Sequence, residues 1–151
     1  MLTEDQIIYQ KIGELLWSIM PFEAIKIVFS AQLYKNKTQA GSRWFDKNNI
    51  KYSFYQGWDN PVQHIDNEII DLLLNLQKLP LFHKDPWTQC QVTLDEKGGF
   101  KIKFAYIPEE DSWNGLYMRG ISDLTESELD DPYYIPKEIW QERVRLKKQT
   151  S

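Results

Sequence analysis

A single cysteine, Cys90, stands in the whole chain, which excludes an intramolecular disulfide framework. Such sparing use of cysteine suits a reducing compartment, so a cytoplasmic location is expected. Histidine is almost as scarce, with only His64 and His83. One thiol and two distant imidazoles cannot assemble the clustered N and S ligands of a zinc site. No apolar run approaches the roughly 20 residues that cross a bilayer. The first residues carry Asp5 and Glu4 rather than a basic stretch followed by an apolar one, so neither a secretory leader nor a membrane contact is predicted. Phosphate-binding loops and dinucleotide fingerprints are missing as well. No cofactor and no metal are expected.

Catalytic chemistry finds equally little support. His64 falls near the start of a predicted helix and His83 in a linker flanked by prolines. Neither sits in a motif that supplies a nucleophile or an orienting acid. Cys90 points inward on a predicted strand and reads as a buried, inert thiol. The run Asp123, Glu126, Glu128, Asp130, Asp131 lacks the central glycine and terminal bidentate Glu of a calcium loop. No pair of carboxylates stands out as an acid and base. The chain is predicted not to be an enzyme. Two rival readings, a nucleic-acid-binding module and a small hydrolase, are disfavoured by the lack of an obvious basic stripe and of catalytic motifs.

What is present is charge of uneven sign and many aromatics. The formal net charge is −4 and aromatic residues make up 14% of the chain. Residues 108–131 hold eight acids and one base, Arg119, and so carry −7. The other 17 bases and 14 acids leave the remainder at +3. A field of that kind repels nucleic acid and attracts basic partners. Trp113, Leu116, Tyr117, Met118, Ile121, Leu124 and Leu129 are interleaved with the acids and would be costly to expose together. A structural flap packed back on a sheet and a partner-binding surface both fit this pattern.

Periodicity supplies the elements. Ile8, Ile12, Leu15, Leu16 and Ile19 mark an amphipathic helix capped at Thr3 and stopped by Pro21. Ile25, Ile27, Phe29, Ala31 and Leu33 alternate as a half-buried strand. A polar turn over Lys35–Gly41, a short strand over Arg43–Asp46 and a third strand over Ile50–Tyr55 follow. Ile65, Ile69, Leu72, Leu73 and Leu76 form the stripe of a second helix, which fades by Pro80. A hairpin joins Cys90–Leu94 to Phe100–Tyr106 through Glu96-Lys97-Gly98-Gly99. After the acidic segment a last helix runs from about Pro136 to Lys147. The order αβββαββ plus a C-terminal α predicts an α+β fold, a single domain over 1–151 with an antiparallel sheet and helices packed on one face.

The hairpin carries a resemblance. Pro86-Trp87-Thr88, a strand, a glycine turn and then Phe100-Lys101-Ile102-Lys103-Phe104-Ala105-Tyr106 resemble the YezG-like immunity (antitoxin) family of bacteria. The first helix ending Ile19-Met20-Pro21, the leucine-rich second helix, and Asp131-Pro132 before a helix with Ile139-Trp140 are similar to the family too. Ser112–Leu129 looks like an insertion relative to shorter members. The resemblance implies a small cytoplasmic α+β protein, cognate to a polymorphic or contact-dependent toxin, that binds and neutralises it. With the acidity of residues 108–134, it makes a basic nuclease the expected partner, its active site or substrate cleft occluded. The expected partner-binding residues are Glu109, Glu110, Asp111, Trp113, Tyr117, Asp123, Glu126, Glu128, Asp130, Asp131, Tyr133 and Tyr134. Trp87, at a strand entrance, is expected to pack under the sheet.

Overall fold

The computed structural model describes residues 1–150, and Ser151, the last residue of the expected domain, lies outside them. Helix α1 spans Glu4–Ile19. It begins where the Gln6 side chain accepts the Thr3 N–H at 3.0 Å, and Glu4 and Asp5 sit favourably in its first turn. Its buried face is Ile8, Ile12 and Leu16. Helix α2, Gln63–Gln77, packs beside it and buries Ile65, Ile69, Leu73 and Leu76. Both helices lie on one face of a five-stranded antiparallel sheet.

The strands are β1 (Ala24–Tyr34), β2 (Lys37–Asp46), β3 (Lys51–Ser53), β4 (Gln89–Asp95) and β5 (Phe100–Ala105), in spatial order β3-β2-β1-β4-β5. The class is α+β, as the order of patterns predicted. Ile27, Phe29, Ala31 and Leu33 of β1 meet the helices together with Cys90, Val92 and Leu94 of β4. Trp87 joins them, only 3% exposed and edge-on to Phe82. The Cys90 thiol is buried, and burial pushes its pKa up to about 12, consistent with an inert thiol. Each large apolar side chain sealed here stabilises the fold by about 1.5–3 kcal/mol.

Four local expectations change. β1 is not half-buried: every residue from Ile27 to Tyr34 is buried, because a second layer covers the other face as well. Ile25 does not continue the inward series, since the register slips between Ala24 and Lys26 and an extra residue at a bulge breaks the alternation. The predicted turn over Lys35–Gly41 is a tight connection between Tyr34 and Lys37, and β2 runs ten residues through Lys37-Thr38-Gln39-Ala40-Gly41. Those polar residues belong to a strand because both of its faces find polar partners, Ser42 on Asp66 and Gln39 on Gly115. β3 is correspondingly shorter than Ile50–Tyr55, and Ile50 lies half exposed outside it.

The β4–β5 turn behaves as its glycines suggested. Gly98 takes φ +86°, a region that favours glycine. The Asp95 carboxylate accepts the N–H groups of Lys97 and Gly99, each at 2.8 Å. After β5 the chain makes three short 3₁₀ turns, Glu109–Asp111, Ile121–Asp123 and Glu126–Glu128, then helix α3 over Lys137–Thr150. The segment and α3 form a small second core of Leu116, Ile121, Leu124, Leu129 and Ile135, against which Trp113, Tyr133 and Trp140 pack.

Phe29→Ala, at a side chain with no exposed surface, is expected to cost about 3–5 kcal/mol. Urea titration should show it as a lower midpoint with an unchanged slope.

Candidate functional site

Pairing in the sheet brings rows of side chains onto the face opposite α1 and α2. One row is Gln39, Gln32 and Gln89, from β2, β1 and β4. Buried amides need partners, and the acidic segment supplies several from its backbone, although Gln32 Oε1 accepts no hydrogen bond among the described residues. The Gln32 Nε2 donates to the carbonyls of Trp113 (2.8 Å) and Leu116 (2.7 Å). Gln89 Oε1 accepts the Met118 N–H at 2.7 Å, and Gln39 Oε1 accepts the Gly115 N–H at 2.7 Å. Gln89 also donates to the Tyr34 hydroxyl, which donates in turn to the Ile107 carbonyl. The segment is therefore docked on the sheet through hydrogen bonds and sealed by its own apolar core.

This docking divides the expected site residues. Asp111 is buried, where it accepts from the backbone N–H of Ser122 (3.0 Å), the Ser122 hydroxyl (2.7 Å) and Arg143 Nε (3.2 Å). Asp123 accepts the Gly120 N–H and pairs with Lys147. Although partial burial of Asp123 opposes it, these bonds hold its pKa below the ordinary carboxylate value. Glu126 pairs with Lys137 at 2.7 Å. Glu128 receives a two-toothed contact from Arg119, at 2.9 and 3.1 Å, and closes the turn at Thr125. Arg119 first, then the Thr125 N–H and hydroxyl, draw the Glu128 pKa down to about 2. Trp113 donates its indole N–H to the Tyr133 carbonyl, and both side chains are half-buried. Tyr117 is half-buried too, and burial raises its hydroxyl pKa to about 12.

Glu109, Glu110, Asp130, Asp131 and Tyr134 are left facing solvent. Among the described residues those four carboxylates form no ion pair, and Asp131 accepts only the Tyr134 hydroxyl at 3.1 Å. The structure thus brings Asp111, Asp123, Glu126 and Glu128 into the scaffold and leaves two short acidic patches, one at each end of the segment's sequence. Among the described residues, no three His, Cys, Asp or Glu side chains converge as a metal-binding group. His64 and His83 are both exposed.

A feature of opposite sign is not apparent from the sequence. Lys26, Arg43, Lys101 and Lys103 come from β1, β2 and β5, yet strand pairing puts them on the part of the second face that the acidic segment leaves open. Alternation in β5 already aligns Lys101 with Lys103. The other two require the register. Lys26 lies over the Phe45 ring, 4.7 Å from its centre. Arg43 is partly buried, which lowers its pKa, and its guanidinium reaches only the Ser30 hydroxyl, at 3.2 Å, among described side chains.

An antiparallel sheet with two helices on one face and a docked acidic segment on the other defines a small α+β protein. The family model of the YezG-like immunity proteins matches residues 6–121, and the chain belongs to that family. No curated protein matches its sequence. The matched residues include the Pro86-Trp87-Thr88 hairpin and the first part of the segment that looked inserted. Asp131-Pro132 and Ile139-Trp140 lie beyond them. No helix of the described residues is long and apolar enough to cross a membrane.

Arg143→Met removes the counterion from a buried carboxylate and is expected to cost about 3–5 kcal/mol. Hydrogen exchange should show the loss first at Gly120–Leu124. In Arg119→Gln the Glu128 carboxyl should titrate above its value of about 2 yet stay below its ordinary 4.5, because the Thr125 bonds remain, as followed by side-chain NMR. Because the folded value is the lower one, the Glu128 contribution is complete above pH 4.5 and disappears as pH falls toward 2.

Proposed function

We propose that this protein is the immunity protein of a bacterial toxin, neutralises it in the cytoplasm by direct binding, and has no catalytic activity of its own. Membership of the YezG-like family is the observation that carries this reading. The toxin is inferred to be a basic nuclease delivered between competing cells. Glu109, Glu110, Asp130 and Asp131 support that inference, because exposed, unpaired carboxylates can occupy positions in a basic cleft that phosphates would otherwise fill. Exposed Tyr134 and half-buried Trp113, Tyr117 and Tyr133 border the same segment and offer aromatic anchors. Asp111, Asp123, Glu126 and Glu128 contribute by holding the segment in shape, and their partners Arg143, Lys147, Lys137 and Arg119 fix that shape.

Co-expression with the toxin domain encoded beside its gene is expected to restore growth, and the two proteins should co-purify. Reversal of the four exposed acids (Glu109→Lys, Glu110→Lys, Asp130→Lys, Asp131→Lys) should slow association and weaken binding by at least about tenfold. Unchanged protection by that variant would move the contact away from the acidic segment. Failure of the wild-type protein to rescue growth or bind would overturn the immunity reading itself.

A further inference from the structure

β5 is the last strand of the sheet, so one of its edges is unpaired. Asp95 donates its N–H to the Gly99 carbonyl at 2.9 Å, and this fixes which residues use their backbone inward. In an antiparallel ladder the hydrogen-bonded pairs alternate. With Asp95 opposite Gly99, and Gln91 opposite Lys103 in the same register, Lys101 and Lys103 bond to β4. The N–H and C=O groups of Phe100, Ile102 and Phe104 therefore point to the free edge. Three donors and three acceptors in a row form a template for another strand.

The two sides of that edge differ sharply. On the helix side Tyr9, Gly13, Trp17 and Phe100 line an apolar groove of about 500 Å³. Gly13 helps to keep it open, since a Cβ there would lie 3.5 Å from the Phe100 ring, and the Trp17 ring is half exposed at the rim. On the opposite side stand exposed Lys101 and Lys103, with Arg43 and Lys26 behind them. We propose that β5 is the docking edge for an extended segment of the toxin whose side chains alternate between carboxylates and apolar groups. This rests on the toxin-binding reading of the preceding section. Carboxylates of such a segment, placed opposite Lys101 and Lys103, meet neighbours of opposite sign, and the residues between them face the Tyr9–Trp17 groove.

Other occupants fit less well. A second copy of the chain, paired antiparallel about Ile102, would set Lys101 against the other copy's Lys103 and repel it. A nucleic acid would find the bases but would also meet a chain of net −4 with a −7 segment docked on the same face. The lysines that guard this edge against indiscriminate apolar strands are the same groups that select an acidic one.

The test uses the full chain, labelled with ¹⁵N, and a short peptide of alternating glutamate and valine. Binding is expected to shift and protect the amides of Phe100, Ile102 and Phe104. Lys101→Glu combined with Lys103→Glu, at exposed positions that leave the ladder intact, should weaken that peptide by at least about tenfold. The same variant should gain binding of a peptide of alternating lysine and valine. No shift along β5, unchanged binding by the double variant, or tighter binding of oligothymidylate at the same residues in physiological salt would each overturn the proposal. Since the peptide experiment contains no toxin, its failure is distinct from a failure of growth rescue. Peptide binding without rescue removes the toxin as partner, whereas rescue without peptide binding removes the edge.

Discussion

The arrangement of this protein depends on a row of buried amides. Gln32 and Gln89 have no exposed surface, and each would cost a few kcal/mol if sealed without partners. Their bonds go to the main chain of Trp113, Leu116 and Met118. A sheet whose second face is made of glutamine, serine and tyrosine cannot be covered by an apolar helix. It has to be covered by backbone, and backbone free to bond sideways belongs to an irregular segment. The acidic stretch is irregular for that reason, and the loop between its first two 3₁₀ turns, Trp113 to Met118, carries the carbonyls and N–H groups to where the amides are.

Once the segment is docked, its charge has to be managed. α3 lies against it and contributes Lys137, Arg143 and Lys147, while Arg119 acts from within the segment itself. Half of the eight acids are thereby committed to structure. Most of these pairs are exposed and contribute little each. The Arg143–Asp111 pair differs because Asp111 is buried and fully bonded. It ties α3, the turn at Ser122 and the turn Glu109–Asp111 into one unit. A charge of −7 counted along the sequence therefore overstates the acidity offered to a partner.

The surface that results is bipolar. Exposed carboxylates lie near the beginning and end of the segment, while Lys26, Arg43, Lys101 and Lys103 gather where the sheet is left open. Under the toxin-binding reading proposed above, complementary patches of both signs restrict the partners that can approach. Such a pattern also favours fast association with an oppositely charged partner.

Much of the fold was legible in the residues. The stripes Ile8-Ile12-Leu16 and Ile65-Ile69-Leu73-Leu76 name their own helices, and Cys90-Val92-Leu94 with Gly98-Gly99 names its hairpin, because burial on one side imposes a period that survives in the sequence. The Pro86-Trp87-Thr88 hairpin likewise points to the family through local residues alone. Lys37–Gly41 reads as a turn because polar residues in a strand are ordinarily solvent-facing, and nothing local reveals that another layer bonds to them. In the same way, Gln32 gives no sign of burial, and Lys26 and Arg43 give no sign of joining Lys101. Periodicity, turns and family are properties of neighbouring residues, so the sequence by itself determined them. Which acids stay free, which bases converge and which edge stays open depend on strand register and on contacts spanning some eighty residues, and only the tertiary structure decided them.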